Sequence, residues 1–307
     1  MAKIHTAIRL LRCCPTSIVG ALYDYVRLCW LFRKLPDDLY LKITYFFHFF
    51  RSLDLENPKS FNEKIQWLKL NDRNPDYIKM VDKYEAKQYV AIKIGEDHII
   101  PTIGVWKHVD DIPFDSLPNQ FVLKCTHDSG SVCVCKNKAD FNVNNAKKKL
   151  ARGLSRNLFF WGREWPYKSV KPRIIAEKYM KGDDDDLMDY KLMCFNGKVK
   201  CSFVCSERFT SDGLKVTFFD KDWNLMPFTR QYPISEKPIP RPASYLQMIE
   251  MAEKLSEGIS FVRIDFYEIY GHPYFGEMTF FPGDGLEKFE PEEWDYKLGE
   301  WLKLPKL

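Results

Sequence analysis

Phe261-Val-Arg-Ile-Asp-Phe-Tyr267 and, after a short polar turn, Tyr274-Phe-Gly-Glu-Met-Thr-Phe-Phe281 are the two runs on which the reading of this chain rests. The first alternates, so Arg263 and Asp265 share one face of a strand while Val262, Ile264 and Phe266 take the other. The second also reads as a strand, with Glu277 and Thr279 on a common face. If the loop is Tyr270-Gly271-His272, three residues, Asp265 stands opposite Glu277 and Arg263 opposite Thr279. A two-residue loop sends the carboxylates to opposite faces. Facing carboxylates repel by an amount comparable to a cross-strand pair energy, ~0.2–1 kcal/mol, and by more if buried. A divalent cation removes that conflict, and oxygen donors on a rigid sheet beside an arginine suit Mg²⁺ shared with phosphates. The plainer alternative is a solvent-facing strand pair whose carboxylates meet Arg263 and nearby lysines.

Upstream segments add to the first reading. Phe121-Val-Leu-Lys124-Cys-Thr-His-Asp-Ser129-Gly130-Ser131-Val132 is a strand bearing a lysine, a small-residue loop, and a second strand. Such a loop lets backbone N–H groups approach phosphate oxygens, with the lysine as a point charge. It is not a Walker loop, because no Gly-Lys-Ser/Thr precedes a helix. Ile174-Ile-Ala-Glu177-Lys178-Tyr-Met180 ends a third strand with charge and then an open segment, suited to an adenine edge. The acidic run Asp183 to Asp186 follows, and a solvated acidic loop is the plainer account of it. Alternation in Asp189-Tyr-Lys191 puts Asp189 and Lys191 on one face, and Asn196-Gly197 joins that strand to Lys198–Cys205 as a two-residue hairpin.

Other boundaries follow from caps and periodicity. Ser60 three residues before Glu63 is a capping-box spacing that starts a helix near Phe61. A second helix is expected from about Pro75 to Ile94, stopping at Gly95. Strands are expected at Ile99–Trp106, Phe121–Cys125, Ser131–Lys136 and Arg173–Tyr179, and a helix or polar connector over Lys138–Asn157, where Lys147 to Lys149 read as a solvated face. After Pro238-Ile-Pro-Arg-Pro242 a helix runs to about Glu257 and stops at Gly258.

Composition bounds the rest. The chain has 307 residues, 45% hydrophobic and 29% charged, which excludes collagen-like and largely disordered classes. Forty-six basic against forty-two acidic residues leave +4, too small and dispersed to argue for nucleic acid. Nine cysteines fall mostly in apolar runs, so free thiols in a reducing cytoplasm are expected. Cys133/Cys135 and Cys201/Cys205 read as core positions on strands, not zinc pairs. The apolar stretches Ile18–Phe32 and Leu39–Phe50 are interrupted by Asp24, Arg27 and Lys42, fall short of the ~20-residue membrane span, and are followed by no signal-cleavage site. Two short helices are expected there, either lying in a membrane interface as a peripheral contact or packed on the main body.

The order of Lys124, Ser129-Gly130-Ser131, Glu177 to Met180, Lys191, Arg263-x-Asp265 and Glu277 resembles an ATP-grasp ligase, and Asp82-Lys83 ahead of Ile99-Ile-Pro101 resembles that superfamily's linker helix. More narrowly, Phe61-Asn-Glu-Lys-Ile-Gln-Trp-Leu-Lys69, Asp189-Tyr-Lys-Leu-Met-Cys-Phe-Asn-Gly197 and Phe275-Gly-Glu-Met-Thr-Phe-Phe281 resemble the TupA-like family, named for teichuronopeptide biosynthesis and associated with capsule, O-antigen and cell-wall polysaccharide loci. The resemblance covers Asn57 to Gly299. It implies an α+β, ATP-grasp-like architecture of two lobes holding ATP between them, preceded by N-terminal helices: residues 1–56 helical, 57–118 a linker subdomain, 119–180 the small lobe, 181–307 the lobe with the metal hairpin. It implies ATP and Mg²⁺ as cofactors, and amide formation between a carboxylate sugar such as a uronic acid and an amine or amino acid through an acylphosphate. Lys83, Lys124 and the Ser129, Gly130, Ser131 loop would then hold phosphates. Glu177, Lys178 and Met180 would meet adenine, Asp184 the ribose, Lys191 the transferring phosphate, Arg263 the acylphosphate, and Asp265 and Glu277 the metal. Many ATP-grasp enzymes have Asn where this chain has Thr279, a poorer metal ligand that suits the narrower pattern. Glycosyl transfer, with Asp183 to Asp186 as its metal motif, is the competing enzyme class, and a non-catalytic nucleotide- or saccharide-binding relative the third reading.

Overall fold

A computed structural model of the chain describes residues 23–24, 30–181, 188–207 and 213–306. Within these, α1 (Asp37–Phe49) is followed by α2 (Phe61–Asn71), α3 (Tyr77–Val81) and α4 (Glu85–Ile94). Then come β1 (Thr102–Trp106), β2 (Phe121–Cys125), β3 (Cys133–Cys135), α5 (Val143–Leu154) and β4 (Ile174–Lys178). The remainder holds β5 (Asp189–Phe195), β6 (Lys198–Ser206), β7 (Lys215–Asp220), β8 (Thr229–Arg230), α6 (Tyr245–Leu255), β9 (Phe261–Ile269), β10 (His272–Thr279), β11 (Phe289–Glu290) and α7 (Glu293–Trp301).

The strands form two main antiparallel sheets, ordered β1-β4-β2-β3 and β10-β9-β5-β6-β7, plus the small pair β11-β8. This is the expected α+β organisation. The first sheet is closed by α5, whose Ala146, Leu150 and Gly153 lie at helical spacing against Leu123, Cys125, Ile174 and Ala176. Lys148 and Lys149 stay exposed on its other side. In the second sheet, Leu192, Cys194, Val262 and Ile264 pack with Met248, Ala252 and Leu255 of α6, all shut off from solvent. Burial of each aliphatic side chain here contributes roughly 1.5–3 kcal/mol. Cys125, Cys133, Cys135, Cys194 and Cys201 are free thiols buried within these cores.

Helix α2 begins where the capping box places it. Ser60 Oγ accepts from the Glu63 N–H at 3.2 Å, and Glu63 Oε2 accepts from the Ser60 N–H at 3.0 Å. Ser60→Ala should therefore lower the unfolding free energy by about 1 kcal/mol, read as a shifted urea midpoint at unchanged slope. A shift of less than a few tenths would mean that solvent replaces the cap.

The expected single helix over Pro75–Ile94 is two. Asp82 adopts extended backbone (ψ 116°), and its Oδ1 accepts from the N–H groups of Tyr84 and Glu85 at 2.8 and 3.2 Å. An aspartate that caps the following turn competes with the helix running through it. The break frees the Lys83 N–H to bond Thr126 O just beyond β2, at 3.0 Å. Strand β1 is also shorter than expected, because Ile99 makes only an isolated parallel bridge to Phe275 and pairing with β4 begins at Thr102. Likewise β3 starts only at Cys133, since Ser131 is engaged in the preceding loop.

Helix α1 packs on the body through Tyr40, Leu41, Thr44 and Tyr45, and the Tyr40 hydroxyl donates to Trp161 O at 2.6 Å. Its Leu39 and Phe46, with the adjoining Phe50, are exposed. Most of the earlier apolar stretch lies outside the described residues, and among those described no helix is long and apolar enough to cross a membrane.

Candidate active site

The hairpin β9–β10 sets the site, by a route the loop length alone does not give. Ile269 pairs with His272, so the turn is Tyr270-Gly271, two residues, with both at positive φ (52° and 74°). That loop by itself would put Asp265 and Glu277 on opposite faces. A bulge restores them: Phe275 faces Phe266, the next paired residue is Glu277 opposite Asp265, and Thr279 faces Arg263. The extra residue is Gly276, where a Cβ would lie 3.2 Å from Asp265 O and 3.2 Å from the Tyr267 ring. A side chain there would crowd the backbone beneath the metal candidate.

On this face Arg263 joins both carboxylates. Its Nε donates to Asp265 Oδ1 at 2.6 Å, and its Nη2 to Asp265 Oδ2 at 2.7 Å and to Glu277 Oε1 at 3.0 Å. Neighbouring β5 brings Lys191 directly opposite Asp265, where its ammonium bonds that carboxylate and also lies 2.6 Å from Asp189 Oδ2. Burial lifts the Asp265 carboxyl above the ordinary aspartate range, and Asp189 and Glu277 add to the rise against the lowering pull of Arg263 and Lys191. Burial acts upward on Glu277 too. There Lys83, Arg263, Lys191 and Lys124 together outweigh it and hold the carboxyl at about 2. Lys191 is likewise buried, yet Asp189 and Asp265 hold its ammonium above the usual lysine range.

The four-stranded sheet supplies the opposing wall. Lys124 on β2 and Glu177 on β4 are diagonal neighbours on one face, and Lys124 Nζ lies 2.6 Å from Glu177 Oε2. The other oxygen of Glu177 is 2.6 Å from Lys87 Nζ, a residue of α4 that also donates to Ile100 O at 2.5 Å. Burial pushes Glu177 up, but Lys124 and Lys87 reverse the sign and keep it ionised. Glu177 is thus engaged side-on by two lysines. Lys178 is exposed, its N–H bonded to Pro101 O at 2.9 Å, and Met180 is half-buried just past the strand end. Asp184, with the whole run Asp183 to Asp186, lies outside the described residues.

Lys83 links the two walls. Its Nζ donates to Asp128 O at 2.8 Å and stands 3.6 Å from Glu277 Oε2. In the loop after β2, Ser129 and Gly130 are exposed, Gly130 at φ 95° with open space around it. Ser131 is buried: its Oγ accepts from the Cys125 N–H at 2.8 Å and donates to Asp128 Oδ1 at 2.6 Å. Ser131 therefore anchors the loop, and Ser129-Gly130 form its free tip.

So Lys83, Lys124, Lys191, Arg263, Asp265 and Glu277 meet around one cleft, with the 129–131 loop at its edge. Sequence reasoning did not single out Lys87, Asp82, Arg173 or Asp128 as part of it. Arg173 Nη2 bonds Asp82 Oδ2 at 2.7 Å and Glu85 Oε1 at 2.8 Å, fixing the broken helix that aims Lys83. Spacing offered a signal for one of them: Lys87 follows Lys83 by four residues, which reads as a single helical face.

The model of the TupA-like ATP-grasp family matches residues 63–303. Among solved structures, the D-alanine–D-alanine ligase of Bacillus anthracis complexed with ATP is 15% identical, with 66% of this chain and 54% of that chain covered and a TM-score of 0.40. The Helicobacter pylori D-alanine–D-alanine ligase is 15% identical over 81% of this chain and 70% of its own, TM-score 0.43. An L-amino acid ligase from Bacillus licheniformis is 12% identical over 73% and 50%, TM-score 0.42. The chain spans only 54% and 61% of the two Bacillus anthracis ligase chains it matches.

Proposed function

The chain belongs to the TupA-like ATP-grasp family, and we propose that it is an ATP-dependent carboxylate–amine ligase that forms an amide through an acylphosphate. The observation that carries this reading is the internal pairing of the cleft: Lys83, Lys124, Lys191 and Arg263 are all matched by Glu177, Asp189, Asp265 and Glu277. A ligand that brings both a polyanion and a divalent cation can exchange with these pairs, the phosphates taking the ammonium groups and the cation the carboxylates. A neutral sugar or a lone anion cannot do both.

The donor set fits a hard cation. Asp265 and Glu277 present carboxylate oxygens on one face, and Glu277 Oε2 has Lys83 only at 3.6 Å, beyond hydrogen-bond reach. Asp265 and Glu277, with the Thr279 hydroxyl two residues on, would hold Mg²⁺, which when bound would neutralise phosphate charge. The chain's own groups do the rest. Lys83 and Lys124 bind phosphate oxygens, the Ser129-Gly130 tip covers them, and Lys178 to Met180 line the base. Lys191 and Arg263 face the γ-phosphoryl group, where charge spreads over its oxygens during transfer. The substrate carboxylate oxygen attacks γ-phosphorus and ADP departs. The amine then attacks the acyl carbon, and inorganic phosphate leaves with the bonding pair.

We assign the acceptor as a uronic acid of a capsular, O-antigen or cell-wall polysaccharide or its precursor, and the amine as an amino acid or related base, on the family's association with such loci. Lys124→Ala should weaken Mg-ATP binding by about 1.5–3 kcal/mol, roughly ten- to 150-fold, the worth of a charge-assisted contact. Calorimetry checks it, with a UDP-sugar as control. Unchanged ATP affinity removes Lys124 from the site, and binding of the UDP-sugar in place of ATP overturns the ligase reading. Uronate- and amine-dependent ADP release then tests the acceptor assignment.

A further inference from the structure

Away from the cleft, the 3₁₀ turn Glu96–His98 docks on the start of β10 and brings Asp97, His98 and His272 together, with one donor atom from each lying within 4.8 Å of the others. We propose that these three residues form a second metal site, for a borderline divalent ion of the Zn²⁺ class, distinct from the carboxylate pair of the cleft.

The hydrogen bonds fix the tautomers. His98 Nδ1 is 2.8 Å from Pro273 O, and His272 Nε2 is 3.0 Å from Asp97 O. A carbonyl oxygen can only accept, so each of these nitrogens carries the proton, and each neutral ring keeps its other nitrogen as a lone pair. A ring N–H held by a backbone carbonyl while the second nitrogen stays free is the arrangement typical of a metal-binding histidine. The free nitrogen of His98, Nε2, faces Asp97 Oδ2 at 3.5 Å. With the ring neutral, acceptor faces acceptor, and either a second proton on His98 or a metal ion between the two groups resolves the conflict.

His98 is buried, Asp97 is exposed and His272 half-buried, so the site is anchored on one side and open to water on the other. Gly95, at φ 104°, makes room for the aspartate: a Cβ there would lie 2.6 Å from Asp97 Oδ1. The two imidazoles stack with centroids 4.7 Å apart and planes 10° apart, which holds His272 beside His98 at the site. Two imidazoles and one carboxylate favour Zn²⁺ and its neighbours over Mg²⁺, with water completing a four-coordinate shell. The ion would tie the segment before β1 to the hairpin that carries Asp265 and Glu277, and would stabilise the fold by an amount that grows logarithmically with free-ion concentration above its dissociation constant.

The test uses the full chain, stripped of metal and kept in millimolar MgCl₂ so that the cleft carboxylates are supplied with their own ion. Calorimetric titration with ZnCl₂ should show one equivalent bound and a raised melting temperature. His272→Ala and Asp97→Asn, both at accessible side chains, should each weaken that binding at least about tenfold, since loss of even an outer-shell partner costs roughly ten- to 100-fold. Co²⁺ in place of Zn²⁺ should give visible d–d absorption that His272→Ala removes. No Zn²⁺ uptake by the wild type overturns the proposal. So does uptake unchanged in both variants, which would place the ion on the cysteines or in the cleft.

Discussion

Glu277→Gln should abolish Mg²⁺-dependent ADP release, by on the order of 10²- to 10³-fold or more, while leaving the circular dichroism spectrum that of a folded protein. Glutamine keeps the shape and one carbonyl oxygen, so the strand pairing and the bond from Arg263 survive. What it removes is the negative charge that Lys83, Arg263, Lys191 and Lys124 jointly hold ionised. Asp265→Asn should be as inactive but less innocent structurally. Asp265 is buried and accepts from both Arg263 and Lys191, so neutralising it leaves two cations in a closed space with one partner fewer. Loss of activity with a native circular dichroism spectrum in the glutamine variant separates chemistry from folding. Mg²⁺-dependent turnover persisting in both variants would sink the metal assignment.

The same hairpin shows what a single sequence gives and what it withholds. Alternation in Phe261 to Tyr267 fixes that Arg263 and Asp265 share a face, and nothing in the structure disturbs it. Whether Glu277 joins them depends on a loop count that the spacing leaves open between two and three: the turn has two residues, and Gly276 supplies the missing register step as a bulge. A glycine inside a strand pattern is a recognised bulge signal, so that step was available from the residues themselves. The Asn196-Gly197 turn, by contrast, was fully legible, since both residues take the positive φ its type requires (49° and 77°). Less visible was the break at Asp82. Helical periodicity runs across it, and only the tertiary partners Arg173 and Thr126 show why the chain turns there. The contact of Lys87 with Glu177 was hidden for a related reason. It joins α4 to β4 across some ninety positions, and no local pattern encodes that pairing.

Lys69→Met should destabilise the fold by about 3–5 kcal/mol, the cost of removing one partner from a buried ion pair. Lys69 is fully buried on α2, and its ammonium bonds Asp284 Oδ1 at 2.5 Å, Asp284 O at 2.8 Å and Gln66 Oε1 at 3.0 Å. Gln66 Nε2 adds bonds to Asp284 O and Gly285 O, both at 2.9 Å. The segment so held is unusual: Gly283, Asp284 and Gly285 are all left-handed, at φ 60°, 60° and 61°. Three such residues in a row have little intrinsic preference for that shape, so the partners on α2 determine it. The segment begins four residues after Thr279, which makes α2 the support for the end of the hairpin carrying Glu277. Methionine fills the volume of the lysine stem but leaves the Asp284 carboxylate facing a neutral neighbour. A double-mutant cycle separates the two contributions. Asp284→Asn tolerates the positive φ and removes the charge, so the double variant should regain part of what Lys69→Met loses, with a coupling energy above roughly 1 kcal/mol. Denaturant unfolding at constant slope measures each corner. A loss below 1 kcal/mol in Lys69→Met, or strict additivity of the two changes, would show that the ion pair does not hold this loop.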